Sequence, residues 1–363
     1  AGDGAPMSAF LTGFPGFLGV ALTERLLDRG ETVTCLVQPQ HLDAARERAR
    51  TLTDRTGVPG ERISLVTGDI TESELGLDDP GAVRERATEC YHLAAIYDLG
   101  VDREPAEAVN VGGTERVLEF AEHADLDRLH YVSTCYVSGR HDGVFGPTDL
   151  DVGQSFNNHY EATKFEAEVA VQERMDGLAT TIYRPAIAVG DSETGETAKY
   201  DGLYYLLGLL DRQPAVALGP AQPPSRRYEF NVVPRDFVVD AIAELSGRAD
   251  TADTVFQLCN PNPPTVRQLL GLCGEALGRR VLRVPVHARA TRRLLERLGS
   301  VANMLDVEPA TMDYLAHPTR YVSPHTRRAL SGTGISCPPL SAYLDTLVAY
   351  MRDHPEVSPA AMT

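Results

Sequence analysis

Short runs of β-branched and aliphatic residues alternate with longer amphipathic segments over the first two-thirds of the chain, as in parallel α/β folds. In the first amphipathic segment, Leu18, Leu22 and Leu26 recur every four residues and predict a helix with one core-facing stripe. The predicted strands are Ser8–Thr12, Thr32–Val37, Ile63–Thr67, Glu89–Ala94, Arg128–Ser133 and Thr180–Tyr183. The predicted helices are Phe17–Arg29, His41–Thr53, Pro105–Glu122 and Phe156–Met175. The alternation predicts an α/β fold with a doubly wound parallel sheet of the Rossmann type.

The pattern changes after Tyr183, and glycines, prolines and clustered tyrosines predict a loop-rich excursion from the sheet over residues 191–228. Residues 230–260 have the pattern of elements that return to the sheet, and short helices separated by prolines are predicted from residue 261 to an amphipathic helix near Leu340–Arg352. The chain thus divides into a nucleotide-binding domain and a smaller, mainly helical substrate-binding part. The predicted bounds are 7–190 with return elements at 230–260 for the first, and 191–229 with 261–363 for the second.

Composition narrows the functional classes. A net charge of −17 disfavours binding to nucleic acid or to an anionic membrane surface, and no apolar run approaches the length of a membrane span. The six cysteines are scattered without metal-ligand spacing, so we expect buried, reduced thiols and no metal site. Residues 1–6 resemble an expression remnant before Met7, and the strand-like run that follows leaves no room for a signal peptide, which favours the cytoplasm.

A glycine-rich turn joins the first predicted strand to the first predicted helix. Gly13 would permit a tight turn, Gly16 the close approach of a pyrophosphate, and Gly19 the packing of the helix on the strand. Glycines alone are weak evidence in a chain that has 31 of them, and an ordinary turn is the alternative. Their place between a strand and a helix favours a dinucleotide site, because helix N-terminal amides bind phosphate. The predicted cofactor contacts here are Thr12, Gly13, Phe14, Pro15, Gly16, Phe17, Leu18 and Gly19.

The spacing Gly-x-x-Gly-x-x-Gly resembles that of the extended short-chain dehydrogenases/reductases, and later segments agree with that family in order. In that family an aspartate after the third strand contacts the adenine, the loop after the fourth strand lies under the cofactor, and a strand-end Arg-Pro lies beside the nicotinamide. The resemblance therefore implies further cofactor contacts at Gln38, Asp69, Ile70, Leu93, Ala94, Ala95, Asn110, Lys164, Arg184, Pro185 and Ile187.

A phenol and an ammonium group lie four residues apart in Tyr160 and Lys164, on one face of a predicted helix. Such a pair is common on solvated helices, but this one follows Thr134 at the end of the fifth predicted strand, and the resembling family combines these groups in one active site. Tyr160 could protonate the oxygen of a carbonyl that receives hydride, and the charge of Lys164 would lower the pKa of that phenol. Thr134 would hold the oxygen. Ser133 is the alternative, but aligning the strand end on the following Gly139 favours Thr134.

Within this family, the chain is most similar to the fatty acyl-CoA and carrier-protein thioester reductases, the "male sterility" type of domain. The similarity covers roughly residues 8–260 and is thin beyond them. The segments that carry it are Thr12–Gly19, Val132–Val137, Asn158–Lys164, Arg184–Pro185 and Gly190–Gly195.

The cofactor is expected to be NADP or NAD, with NADPH slightly favoured on family grounds. Many NADPH-using relatives carry an arginine directly after the second strand, where this chain has Gln38, which cannot form bidentate charged contacts to a 2′-phosphate. Arg46 or Arg48 could reach this position from the next helix.

The leading hypothesis is reduction of an acyl thioester, on CoA or a carrier protein, to an aldehyde or alcohol. The alternatives are a ketone or alcohol dehydrogenase or sugar-modifying enzyme of the same family, and a nucleotide-sensing regulator, which the retained Tyr160 and Lys164 disfavour. The expected partner is a small-molecule or carrier-bound acyl substrate, and a homodimer is one expected assembly. An apolar substrate pocket or a plain core helix would both explain Tyr200, Leu203, Tyr204, Leu206, Leu207 and Leu210.

Overall fold

The computed structural model describes residues 7–221, 227–285 and 311–357. Its strands are β1 (Ser8–Thr12), β2 (Thr32–Val37), β3 (Ile63–Thr67), β4 (Glu89–His92), β5 (Arg128–Val132), β6 (Val144–Phe145), β7 (Thr180–Pro185), β8 (Ile187–Val189), β9 (Val216–Ala221), β10 (Val232–Pro234), β11 (Thr254–Leu258), β12 (Arg280–Pro285) and β13 (Arg320–Tyr321). Its α-helices are α1 (Phe17–Asp28), α2 (Leu42–Thr56), α3 (Pro80–Arg86), α4 (Arg103–Ala106), α5 (Thr114–Glu122), α6 (His159–Arg174), α7 (Leu203–Asp211), α8 (Arg235–Ser246), α9 (Val266–Leu277), α10 (Thr311–Tyr314), α11 (Pro324–Ala329) and α12 (Leu344–Asp353).

Seven strands form one sheet in the order β3-β2-β1-β4-β5-β7-β11, and every pair in it is parallel. The chain starts in the middle, at β1, builds outward to β3 and then crosses back to β4. Because the strands are parallel, the loops that follow them all leave from one edge of the sheet, and the crossing point of the chain makes a crevice at that edge. This is the predicted Rossmann fold, and it is confirmed.

The sheet is buried on both faces because successive residues of its strands point to opposite sides. Phe10 packs with α5 residues such as Leu118 and Phe120 in one hydrophobic cluster. Its neighbour Leu11 belongs to a larger cluster with Leu22 and Leu26 of α1 on the opposite face. The predicted stripe on α1 therefore faces the core, although its first member, Leu18, is only partly buried.

The excursion after β8 is more regular than the composition predicted. It contains α7, in which Leu203, Leu206, Leu207 and Leu210 are buried in the larger hydrophobic cluster, and β9, which pairs in parallel with β12. Residues 191–221 and 266–285, which lie far apart in the chain, thereby meet through one two-stranded sheet. The proposed bounds of the two domains remain a prediction.

The six cysteines are free thiols, and all but Cys337 are buried. Burial raises the pKa of Cys35, Cys90 and Cys273 to about 12, because a thiolate is poorly solvated in an apolar interior. These three side chains therefore behave as small hydrophobic residues.

Candidate active site

A cavity of about 480 Å³ lies along the carboxyl edge of the sheet, within the range usual for small-molecule and cofactor sites. Each of β1, β2, β3, β4, β5 and β7 contributes residues that directly follow the strand. We call its two regions the glycine end, lined by Thr12–Gly19, Gln38, Gln40, His41 and Asp69, and the tyrosine end, lined by Thr134, Tyr136, Tyr160, Lys164, Tyr97, Lys199, Asp201 and Tyr314.

The glycine turn is closed by backbone contacts that a larger residue would prevent. Gly13 has a φ of +95°, and a Cβ atom there would lie 2.8 Å from the amide nitrogen of Ala94. A Cβ atom on Gly16 would lie 2.7 Å from the Gly13 carbonyl oxygen, and one on Gly19 would overlap the same atom. The turn thus folds tightly against the loop after β4. It leads into α1, whose first amides lack intrahelical acceptors and suit an anion such as a pyrophosphate.

Buried polar groups connect β1 to β4, its neighbour in the sheet. The Thr12 hydroxyl contacts His92 Nδ1 at 2.8 Å and accepts a hydrogen bond from the Ala94 amide, while His92 Nε2 contacts the Thr114 hydroxyl at 3.0 Å. Burial, together with a smaller effect of the nearby Lys164 charge, lowers the pKa of His92 to about 3. His92 is therefore a neutral residue that holds the loop containing Leu93, Ala94 and Ala95 against the cavity.

Asn110, expected to contact the cofactor, does not line the cavity. Its amide oxygen accepts from the Ile96 amide at 2.8 Å, and its Nδ2 donates to the Thr163 hydroxyl at 3.0 Å. The side chain is almost fully buried. Asn110 therefore connects the loop after β4 to α6.

Arg184 also differs from the expectation of a cofactor contact. Its guanidinium is fully buried and binds the Glu168 carboxylate in bidentate fashion, with an Nη2–Oε1 distance of 2.6 Å and an Nε–Oε2 distance of 3.1 Å. Only the residues that follow it, including Pro185 and Ile187, line the cavity. The arginine side chain turns away from the cavity because its charge requires the buried carboxylate.

Ser133 and Thr134 are distinguished by their partners. The Ser133 hydroxyl donates to Glu168, which ties it to the buried ion pair. The Thr134 hydroxyl accepts from the Tyr136 amide at 3.2 Å and interacts with the Tyr160 phenol. Thr134 is therefore the hydroxyl that interacts with Tyr160, whereas the Ser133 hydroxyl is bound to Glu168.

Tyr160 and Lys164 line the cavity from α6, which begins after Asn158, whose side chain accepts from the Glu161 amide at 2.9 Å. The expected lowering of the Tyr160 pKa is absent, because burial raises it and the Thr134 hydroxyl opposes this only in part. Burial lowers the pKa of Lys164 to about 7, against the effect of Glu168. Lys164 Nζ donates to the Tyr131 hydroxyl and to the Val132 carbonyl oxygen, both at 2.9 Å, rather than acting on Tyr160.

At the glycine end, Gln38 Nε2 donates to the Asp69 carboxylate at 2.8 Å, and the amide and hydroxyl of Thr71 donate to the other carboxylate oxygen. Although burial raises the pKa of Asp69, these hydrogen bonds lower it more and keep the group ionised. Arg46 pairs with Asp43 at 3.1 Å on the exposed side of α2, and neither it nor Arg48 lines the cavity. No arginine is among the described residues that line this end.

Sequence reasoning missed several residues of the tyrosine end. Tyr97 packs edge-on against Tyr160, with ring centroids 5.0 Å apart, and Tyr136 packs against Tyr314 at 4.9 Å. The Tyr314 hydroxyl accepts from Asn158 Nδ2 at 3.0 Å, so the C-terminal region contacts the start of α6. For Lys199 the sequence did contain a signal, the scarcity of lysine. Lys164 and Lys199 are the only two lysines in the chain, and both line this cavity.

The aliphatic residues of the excursion belong to the core. Leu203, Tyr204, Leu206, Leu207 and Leu210 are buried and none lines the cavity, and Tyr200 lies against Tyr204. Of the two explanations for this group, the core helix is therefore confirmed.

The Gly190–Gly195 motif is structural. The Asp191 carboxylate accepts from the Glu193 and Thr194 amides, and Ser192 binds Asp236 through its amide at 2.8 Å. The motif closes a loop that is attached to α8. None of its residues lines the cavity.

The helices that the structure describes include none long and apolar enough to cross a membrane. Among the same described residues, no group of three or more His, Cys, Asp or Glu side chains has the arrangement of a metal site.

Comparison with known proteins gives consistent matches. The family model described as male sterility protein matches residues 11–242. A linear gramicidin synthase of Brevibacillus parabrevis is 29% identical over 269 residues, which are 70% of this chain and 5% of that protein. Glycine betaine reductase ATRR of Emericella nidulans is 28% identical over 281 residues, 72% of this chain and 22% of that protein.

Among solved structures, the terminal R domain from the myxalamid PKS-NRPS biosynthetic pathway superimposes with a TM-score of 0.83. It is 27% identical, and the match covers 99% of this chain and 94% of that one. The chain thus aligns with nearly the whole of that domain, but it spans at most 30% of the first curated relatives it matches.

Proposed function

The chain belongs to the male sterility protein family, and on that premise we propose that it reduces an acyl thioester to an aldehyde or alcohol with NAD(P)H. The expected oxidoreductase class and the expected NAD(P) cofactor are confirmed by the family and by the similarity to the terminal R domain. The observation that carries the proposal is the meeting of the Thr134 and Tyr160 hydroxyls beside Lys164 in the cavity that also contains the glycine turn.

The glycine end fits a dinucleotide. The tight turn brings the N-terminus of α1 to the cavity, where its unpaired amides would hold the pyrophosphate. Asp69 lies in the cavity as an ionised acceptor, as an adenosine contact requires. When bound, the reduced nicotinamide supplies hydride to the thioester carbonyl carbon.

In this proposal Thr134 and Tyr160 hold the carbonyl oxygen. Hydride addition turns that oxygen into an oxyanion, which the two hydroxyls stabilise more strongly than the neutral carbonyl. Tyr160 acts as the proton donor, and its raised pKa keeps the phenol protonated before the reaction. When the carbon–sulfur bond of this hemithioacetal breaks, the proton returns from the oxygen to Tyr160 and the C=O bond forms. The thiolate leaves and takes a proton from solvent, and an aldehyde remains between these groups. Lys164 would orient the ribose of the nucleotide.

The thiol carrier is proposed to be CoA or a carrier protein, because the chain aligns with the terminal R domain of a PKS-NRPS biosynthetic pathway. The test is to incubate the protein with NADPH or NADH and a series of acyl-CoA and acyl-carrier thioesters. Cofactor oxidation is followed by absorbance, and the aldehyde or alcohol is identified by mass spectrometry. We expect one free thiol for each molecule of aldehyde or alcohol that is formed.

If every thioester were inert while ketones, sterols or secondary alcohols reacted, the thioester assignment would fail. The same Thr134, Tyr160 and Lys164 group would then serve the alcohol dehydrogenase alternative. Failure of all carbonyl substrates, with cofactor still bound, would instead favour the nucleotide-sensing regulator.

A further inference from the structure

The side chains that the excursion contributes to the cavity wall are mainly polar. Its lining residues are Thr197, Ala198, Lys199, Asp201 and Gly202, which precede α7, whereas the buried leucines of α7 face the core. Lys199 Nζ lies 3.5 Å from Asp201 Oδ2, and both side chains keep a small exposed fraction, 20% and 16%. An ion pair therefore lies in the wall of the tyrosine end, where an aliphatic surface was one expectation.

This ion pair retains hydrogen-bonding capacity. Charge-assisted N–H···O bonds are usually about 2.7–2.9 Å long. The contacts of Lys199 Nζ are longer, 3.5 Å to Asp201 and 3.4 Å to the Tyr97 carbonyl oxygen. An ammonium group has three donors and a carboxylate about four acceptor sites, so the pair can bind a further polar group.

The pair is also close to the reacting groups. Lys199 Nζ lies 5.3 Å from the centre of the Tyr97 ring, which packs edge-on against Tyr160. The negative charge of Asp201 acts on the Tyr160 phenol in the same direction as burial, raising its pKa. Lys199 and Asp201 therefore line the same part of the cavity as Tyr160.

The segment that carries the pair is held in place on both sides. The Thr197 hydroxyl donates to the Lys199 carbonyl oxygen at 3.1 Å, and the Tyr204 amide donates to the Asp201 carbonyl oxygen at 2.9 Å. Gly202 supports the sharp entry into α7 with a φ of +51°. The two side chains are thus presented by a backbone that a local contact network orders.

We propose that Lys199 and Asp201 form a specificity-determining pair that binds a hydrogen-bonding group of the acyl chain close to the thioester. The inference rests on the proposed thioester reduction. Lys199 would donate to an acceptor such as an amide oxygen, and Asp201 would accept from an adjacent N–H. A plain alkanoyl chain would desolvate the pair without replacing its contacts with water, so it would bind less well.

The test compares two CoA thioesters of equal chain length. One carries a plain alkanoyl group, and the other carries a secondary amide separated from the thioester carbonyl by one or two methylenes. The wild-type protein should prefer the amide-bearing substrate. In Lys199→Met, kcat/KM for that substrate should fall about 10- to 100-fold, through KM rather than kcat, because a hydrogen bond to a charged group is lost. The alkanoyl substrate should be unaffected or improved.

Two controls accompany this variant. Lys199→Arg keeps the charge and should restore most of the preference. Arg267→Met removes an exposed cation of α9 by the same type of change and should leave both substrates unaffected. Equal losses on both substrates in Lys199→Met, or a wild-type protein that reduces both equally well, would overturn the inference and leave the proposed function intact. A wild-type protein that reduces no thioester would overturn both.

Discussion

At the glycine end the cavity is lined by residues that directly follow β1, β2 and β3, whereas the tyrosine end also requires Lys199, Asp201 and Tyr314 from outside the central sheet. The first region is local in sequence and defined largely by backbone, because glycines allow the turn and the parallel strands bring successive loops to one edge. The second consists of side chains from distant segments. From this difference we predict that substitutions can alter cofactor binding and substrate choice separately.

The substitution Tyr160→Phe should separate catalysis from cofactor binding most strongly. This change removes the proposed proton donor and should lower turnover by about 10²–10⁴-fold. Cofactor affinity should be retained, because the glycine end has no contact with that hydroxyl. Steady-state kinetics and a fluorescence titration with cofactor on the same preparation measure the two effects. Near-normal turnover with the cofactor bound would exclude Tyr160 from the mechanism and weaken the division between the two ends.

A second test concerns the buried ion pair of Arg184 and Glu168, which joins β7 to α6. In Arg184→Met the Glu168 carboxylate would stay buried without its partner, which costs about 3–5 kcal/mol of unfolding free energy. Urea denaturation measures this loss. The matched control is Arg46→Met, which breaks an exposed pair with Asp43 and should cost at most about 1 kcal/mol.

For the fraction of Arg184→Met that remains folded, we expect an unchanged affinity for the cofactor. A large loss of affinity, with stability preserved, would restore Arg184 as a cofactor contact through its side chain.

As the pH rises, activity should fall while the free energy of unfolding should increase. Because burial lowers the pKa of Lys164 to about 7, its charge is lost as the pH rises above that value, and kcat/KM should fall there if the charged form orients the ribose. Between pH 7 and 10.5, Lys164 is protonated in the unfolded chain and neutral in the folded chain. Stability should therefore rise over this range, by up to about 1.4 kcal/mol per pH unit.

Kinetics and chemical denaturation across this pH range check both signs. Lys164→Met should lack this contribution to the stability slope. A slope that is the same in Lys164→Met and in the wild-type protein would assign the effect to other groups.

The smallest effect is expected for cofactor choice. Gln38 is bound to Asp69, and no arginine of the described residues lines the glycine end, so neither a 2′-phosphate nor a free 2′-hydroxyl has a dedicated partner. NADPH and NADH should bind within about 100-fold of each other, or about 2.7 kcal/mol, with NADPH slightly favoured. Fluorescence titration decides this. A stronger preference for NADH would contradict the prediction, and a much tighter NADPH complex would require an arginine that Arg46→Ala and Arg48→Ala could identify.

The sheet and the glycine turn were accessible from the sequence because their signals are local. The bounds of β1, β2 and β3 match the predictions, since each is a short apolar run between turn residues. The structure of the excursion was harder to predict, because the composition of residues 200–210 is compatible with a pocket wall as well as with a core helix.

The sequence by itself determined the fold class, the position of the glycine turn and the pairing of Tyr160 with Lys164 on one helix face, since all three depend on short-range periodicity and spacing. Only the tertiary structure decided where individual side chains point. It turned Arg184 towards Glu168 and Asn110 towards Thr163, and it brought Lys199 to the cavity that contains Lys164. The physical reason is that a buried polar group takes whichever partner satisfies it, and such partners are contributed by segments far apart in the chain.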